Sequence, residues 1–297
     1  MATTPVIFDR PLLRAHARRA RALTPATFLI DRVADGLAER LGAVLRQFPL
    51  ALDLGTPTAA VRNRIGRNAA VGRVIRAGAQ GGGTDADDVV ADEEALPFRD
   101  ASLDLVVSAL ALQAVNDLPG TLVQIRRVLK PDGLFLAAML GGDTLTELRE
   151  SFFVAEATTE GGVSPRVAPF VAVREAGALL QRAGFALPVV DVDRITVRYA
   201  SAVDLMYDLR RMGATNPLAE RRRVPLRRET FLRMTQVYAE RFADADGRVR
   251  ATFDVVWLSG WAPHESQQTP LAPGSAKTRL ADALGTREIP TGEKPGR

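Results

Sequence analysis

The chain of 297 residues contains no cysteine. That absence excludes disulfides, a thiol nucleophile and thiolate metal ligation together. Histidine is nearly as scarce. His16 and His264 stand at opposite ends of the sequence, with no ligand spacing between them. A histidine-based metal centre, including a 2-His-1-carboxylate iron site, is therefore not expected. Lysine occurs only at Lys130, Lys277 and Lys294, so nearly all the positive charge behind a net +4 is arginine. The arginine runs Arg18-Arg19-Ala20-Arg21 and Arg221-Arg222-Arg223 lack interleaved aromatics, which argues against a nucleic-acid partner. They read as solvated surface, with an acidic partner or a membrane surface as the sharper reading. No apolar run reaches the ~18–20 residues of a membrane span. No charged-then-apolar leader opens the chain, so the expected location is cytoplasmic, at the inner face of the cytoplasmic membrane on the sharper reading of the charge.

What is present is an ordinary globular chain, 46% apolar. Its most informative stretch runs from Val89 to Gly142. Two apolar, β-branched runs, Leu103–Ala109 and Leu134–Leu140, bracket a helical pattern of Leu118, Leu122, Ile125 and Leu129. Asn116 or Asp117 caps that helix, with Pro119 in its first turn, and Lys130-Pro131-Asp132-Gly133 ends it. This is a strand–helix–strand crossover, the unit of an open α/β sheet. Further strands are predicted at Leu50–Leu54, Val71–Ala77, Asp88–Ala91 and Val189–Tyr199. A last strand, Ala251–Leu258, is expected to be antiparallel. Helices are predicted over residues 6–22, from Thr24 as cap through Leu45, and over Leu226–Phe242. A further helix follows Gly141-Gly142-Asp143-Thr144, with Asp143 or Thr144 as its cap.

Several of these strings carry a resemblance. Asp92, Leu96-Pro97-Phe98, Asp104-Leu105-Val106-Val107-Ser108 and Arg127-Val128-Leu129-Lys130-Pro131-Asp132-Gly133 resemble the class I S-adenosylmethionine methyltransferases. Phe8-Asp9-Arg10, Phe48-Pro49-Leu50-Ala51-Leu52-Asp53-Leu54-Gly55, Gly141-Gly142-Asp143-Thr144-Leu145 and Gly260-Trp261…His264-Glu265-Ser266-Gln267 are similar to one branch of them. That branch holds the arginine hydroxylase that assists assembly of respiratory complex I, and its bacterial relatives. The resemblance implies a Rossmann-like α/β fold, a seven-stranded, mostly parallel sheet with helices on both faces and a helical substrate cover. It divides the chain into a basic lid and first helix (1–45), a core (46–200), a cover (201–248) and a last strand with closing loop (249–267); composition rich in Pro, Gly, Thr, Ala and charge marks 268–297 as a tail without structure beyond Ala276.

The resemblance also implies S-adenosylmethionine as cofactor and a protein substrate, a complex I subunit. The cofactor-side residues are Asp53, Gly55, Thr56, Asp92, Glu93 and Ser108. Asp92 would accept from the adenine amine; Glu94 reads as a solvated turn. Ser108 has an equal claim to satisfying backbone at its strand end, and Asp104 reads as structural. On the substrate side stand Tyr207, Arg210, Asn216 and His264, the last read rather as a packing or capping group; Met206 and Met212 read as core. No catalytic residue is assigned.

The sequence also departs from the pattern. Where the family's loop runs Asp-x-Gly-x-Gly-x-Gly, this chain keeps Asp53 and Gly55 but carries Pro57 and Ala59. Pro57 has no N–H to donate, and Ala59 adds a Cβ beside the nucleoside path. The acid that usually ends the second strand and holds the ribose hydroxyls is missing from Ala77-Gly78-Ala79; Asp85, Asp87 and Asp88 are the available substitutes. A His-Trp pair carried by many relatives is Gln113-Ala114 here. Losing two charged contacts costs roughly 3–6 kcal/mol of affinity. Two other readings therefore stay open: a cofactor-poor scaffold or assembly factor, and a carrier-protein carboxyl O-methyltransferase of the biotin-synthesis type.

Overall fold

The structure is a computed structural model that describes residues 6–79, 87–268, 275 and 278–287. Its frame is the buried strand pair the sequence announces. β4 (Leu103–Ala109) and β5 (Leu129–Leu140) run parallel, with α4 (Leu118–Val128) crossing between them. Asp117 caps α4 by accepting from Gly120 N at 2.8 Å. The helix stops at Val128, and β5 begins at once, running through the segment expected to be a turn. Asp132, not Gly133, takes the left-handed backbone there (φ 64°).

Around this pair lie α1 (Arg10–Ala22), α2 (Phe28–Gly42), β1 (Phe48–Leu54), α3 (Ala60–Ile65), β2 (Val71–Gly78) and β3 (Asp88–Val90) on the N-terminal side. On the C-terminal side lie α5 (Thr146–Thr159), α6 (Val173–Arg182), β6 (Ala186–Tyr199), α7 (Ala202–Arg211), α8 (Arg228–Phe242) and β7 (Val249–Trp261). Seven described strands form one sheet in the order β3-β2-β1-β4-β5-β7-β6. β1 to β5 are parallel, and β7 runs antiparallel between β5 and β6. One face buries Leu52, Leu54, Val106 and Phe135 beneath α4 and α6. The other buries Ala51, Leu105, Val107 and Leu136 beneath α2 and α3. A third cluster packs α5, α7 and α8 against the far ends of β6 and β7, through Phe152, Leu205, Tyr238 and Phe253.

Several local expectations are corrected. α2 starts at Phe28, so Thr24 is not its cap, and Leu45 lies beyond its end, 98% exposed. Neither Asp143 nor Thr144 caps α5. The residue before it is Leu145, in left-handed backbone, while the Thr144 hydroxyl is bonded to the Asp254 backbone. Strand pairing of the Gly141–Leu145 segment with β7 outcompetes capping, since Gly141 N and Leu145 N both donate to β7 carbonyls at 2.8 Å. Two units are distinguished, Met1–Pro263 and His264–Arg297. The division falls inside the stretch read as a closing loop. The tail, expected to lack structure beyond Ala276, contains a short helix in its described part, Leu280–Leu284; the rest lies outside the described residues.

Candidate functional site

The parallel strands deliver their following loops to one edge of the sheet, where open α/β folds take ligands. After β1 the chain must turn sharply, and Gly55 does so at φ 72°. Its N–H donates to Ala77 O of β2 at 2.6 Å. A Cβ at this position would lie 2.8 Å from Ala111 Cβ and 3.0 Å from Glu93 Oε1, so only glycine fits between the loops after β3 and β4.

These loops floor a cavity of about 1030 Å³, roofed by α1 and continued under α7 and the residues following it. Its sheet end is walled by Gly55 to Ala59, Arg76 to Ala79, Glu93 and Gln113. Its far end is largely apolar, with Leu148, Phe152, Met206, Leu226, Phe231 and Phe253, and it also holds Tyr207, Arg210 and Asn216. Gly55, Thr56 and Glu93 are thus brought into one space with Tyr207, Arg210 and Asn216, across about 150 residues of sequence. Pro57 and Ala59 stand in the wall and do not fill the space. Met206 and Met212, expected in the core, also line it.

Other expected site residues are placed differently. Ser108 is fully buried and donates to Leu54 O at 2.8 Å, tying β4 to β1; it does not line the cavity. Asp104, read as structural, has that role: it accepts from Leu50 N and Lys130 Nζ. Asn216 is engaged within the cover, donating to Pro165 O and accepting from Leu218 N. His264 belongs to the C-terminal unit, where it is exposed and its Nδ1 lies 2.7 Å from the Ser266 hydroxyl. Glu94 is not a solvated turn residue: its carboxylate accepts from the backbone N–H groups of Asn116 and Asp117.

Asp53 lies beneath the loop rather than in the cavity wall. It is wholly buried, and neither carboxylate oxygen has a well-formed hydrogen bond among the described residues. Burial pushes its carboxyl up to about 6, against the pull of the Thr56 hydroxyl and of the Arg76 and Arg62 charges. In the cavity wall, Gln113 Nε2 donates to Leu110 O, while its buried Oε1 has no partner among the described residues.

Sequence patterns could not reveal what holds the roof. Asp9 caps α1 by accepting from Leu12 N. Arg10 Nη2 then reaches Asp92 Oδ1 at 2.6 Å and Glu93 Oε2 at 2.5 Å, and Arg14 Nη2 reaches Asp92 Oδ2 at 2.6 Å. On the other flank the His16 ring meets the Thr215 hydroxyl at 2.8 Å, and Arg221 pairs with Asp9 at 3.0 Å. Arg222 pairs with Glu160 at 2.8 Å. Arg221 and Arg222, in a run read as solvated surface, therefore clamp the cover, because each ion pair offsets the cost of a partly desolvated carboxylate. Replacing Arg10 with alanine is expected to free the sheet-side flank of α1. Each charged hydrogen bond is worth ~1.5–3 kcal/mol, so trypsin should cut at exposed Arg18 or Arg19 about tenfold faster or more. An unchanged cutting rate would show that the cover contacts hold α1 alone.

The ribose neighbourhood does not fit S-adenosylmethionine as the superfamily holds it. β2 ends at Gly78 without a carboxylate. Of the possible substitutes, Asp87 is bonded to Arg73 at 2.6 Å and Asp88 to Arg62 at 3.3 Å. Asp85 lies outside the described residues. Among the described residues, no group of three or more histidine, aspartate or glutamate side chains is arranged to hold a metal ion.

Comparison with known proteins agrees with the architecture. The methyltransferase domain family matches residues 57–137. A solved Bacillus halodurans protein assigned as a methyltransferase superposes with a TM-score of 0.51 at 16% identity, over 78% of this chain and 99% of its own. That likeness concerns the fold alone. The arginine hydroxylase NDUFAF5 of Homo sapiens, labelled mitochondrial, is 42% identical over 97% of this chain and 86% of its own length. Its Danio rerio counterpart is 39% identical over 93% of this chain and 89% of its own. A malonyl-[acyl-carrier protein] O-methyltransferase of Laribacter hongkongensis is 41% identical, but over 59% of this chain and 56% of its own length. The match to the hydroxylases runs through lid, sheet and cover alike, and on that ground the chain belongs to the NDUFAF5 arginine hydroxylase family of the class I methyltransferase fold.

Proposed function

We propose that this protein acts in the assembly of respiratory complex I, on an arginine-bearing segment of one of its subunits, at the cytoplasmic face of the membrane. What supports the reading most is the continuity of the cavity: it runs from the sheet edge to the apolar space beneath α7 and α8, and the relatives match over both parts. The far end suits the aliphatic stem of a long side chain, with Tyr207 and Arg210 at its rim. S-adenosylmethionine is the cofactor implied by the fold; Gly55 of the loop after β1 lines the cavity, while Asp53 lies beneath that loop. Because the ribose end lacks the matching carboxylate, no chemical step is assigned through that cofactor.

The test is genetic and chemical. Deletion in the native host is expected to lower assembled complex I and membrane NADH:quinone oxidoreductase activity severalfold, with restoration by the wild-type chain. Mass spectrometry of the complex I subunits then distinguishes the chemistry. An arginine that gains one oxygen only when the protein is present identifies hydroxylation; a gain of one methylene identifies methyl transfer. Restored assembly with neither change would favour the scaffold reading, which Gly78, Pro57 and Ala59 support. Undiminished complex I in the deletion strain would reject the assembly role.

A further inference from the structure

The cavity is lined by charge of one predominant sign. Among the described residues its charged lining is mostly arginine, and the acids in it, Asp88 and Glu93, are already engaged by Arg62 and Arg10. Most of the arginines are engaged as well. Arg14 holds Asp92, Arg76 the Thr56 carbonyl, Arg166 the Glu156 carboxylate, and Arg211 the Thr24 carbonyl and Asp208. An arginine side chain entering alone would meet like charge, with no free acid in the described lining to answer it.

Lining residues that are exposed mark the mouth: Pro25 in the link between α1 and α2, Pro57 in the loop after β1, and Tyr207, Arg210 and Ala214 on and just after α7. Arg211 Nε donates to Thr24 O at 2.6 Å, which ties the end of α7 to that link. Val203, Met206, Tyr207 and Arg210 form one stripe of α7 along the cavity. Arg210 differs from the engaged arginines: it is exposed, and its guanidinium has no acceptor among the described residues. Its neighbours one helical turn away in either direction are Met206, Tyr207, Gly213 and Ala214, none of them acidic. Tyr207 is 62% exposed, and its hydroxyl has no partner among the described residues. A guanidinium and a phenol side by side on one turn both donate to a carboxylate, and such side chains commonly anchor protein partners. A lipid surface fits less well, because a helix that enters a bilayer pairs its arginines with exposed large apolar side chains, and the roof helix α1 has none.

We propose that the segment entering this cavity carries an acidic side chain close to its arginine, and that Arg210 and Tyr207 hold that carboxylate at the mouth. Resting on the arginine-bearing segment proposed above, this narrows the substrate to one whose own acid offsets the positive lining. The apolar space beneath α7 and α8 then takes the stem of the arginine, while the rim reads its neighbour.

The test is fluorescence-anisotropy titration of the full chain with short labelled peptides that carry a central arginine in a glycine–serine background, flanked by glutamate, by glutamine or by lysine. The glutamate peptide is expected to bind about tenfold or more tighter than the glutamine peptide, and the advantage should shrink as salt rises. Arg210→Gln should abolish most of that advantage, Tyr207→Phe should remove a smaller part, and Arg210→Glu should turn the preference toward lysine. Both side chains are exposed, so the variants should keep the fold, which unchanged melting temperatures check. Equal binding of the glutamate and glutamine peptides, no binding of any peptide, or a glutamate advantage untouched by Arg210→Glu would overturn the proposal. So would capture by phosphatidylglycerol vesicles that Arg210→Glu abolishes, with no discrimination among the peptides; the rim would then serve a lipid headgroup. A control peptide with alanine for the central arginine separates this proposal from the one beneath it. A glutamate advantage that needs no arginine would refute the arginine-bearing segment and spare the acid site, whereas arginine dependence without a glutamate advantage would do the reverse.

Discussion

Replacing Arg166 with alanine is expected to remove about 3–5 kcal/mol of stability, the usual loss when one partner of a buried ion pair is deleted. Glu156 in α5 is fully buried, and its carboxylate is held by Arg166 Nε at 2.7 Å and by the Ser164 hydroxyl and N–H. Without the guanidinium a buried charge is left with neutral donors only. Arg166 also lies over the Phe152 ring at 5.4 Å and lines the cavity, so the loop preceding α6 should loosen with it. The melting temperature should fall by roughly 10 °C for a unit of this size. A Glu156→Gln change in the same background should recover part of the loss, because the uncompensated charge is then gone. A melting temperature unmoved by Arg166→Ala would show that Glu156 does not depend on this partner.

Asp53 is expected to make stability fall as pH rises, the reverse of a salt-bridged carboxylate. Its folded carboxyl releases its proton at about 6 rather than at the ordinary 3.8. Between those values the folded state binds more protons than the unfolded one, so the contribution is full below the lower value and gone above the higher. A rise of that size corresponds to roughly 3 kcal/mol. Asp53→Asn should flatten that slope and gain stability at neutral pH, less the ~1–3 kcal/mol of an amide buried without partners. Urea unfolding of both proteins across this range isolates the effect, since other carboxylates contribute equally to each. Identical slopes would place the charge of Asp53 in better company than its buried, unpartnered oxygens indicate.

Both effects come from one habit of the fold. It places carboxylates under loops and helices and then answers each with an arginine from elsewhere in the chain: Glu156 with Arg166, Glu160 with Arg222, Asp92 with Arg10 and Arg14. Asp53 stands apart, because no cation among the described residues forms an ion pair with it and protonation relieves its cost only below about 6. Arg76 reaches it only electrostatically, with its guanidinium engaged on the loop backbone.

The strands, the crossover and the glycine turn after β1 were legible in the sequence because each is written in local periodicity. Continuous apolar runs report burial on both faces, a 3.6-residue stripe reports a helix, and Asp53-Leu54-Gly55 reports a sharp turn at a strand end. The antiparallel last strand, expected at Ala251–Leu258, was legible too. Where local signals competed with pairing they misled or left the choice open: Thr144 looked like a cap until β7 claimed it, and of the two roles open to Ser108 the bond to the β1 backbone is the one the structure shows. The partners of charged side chains were not legible at all. Arg10 and Asp92 are 82 residues apart, and Arg221 and Asp9 are 212 apart. A charge carries no periodicity that names its counterpart, so only the packing of α1 between the sheet edge and the cover decided which arginines close salt bridges.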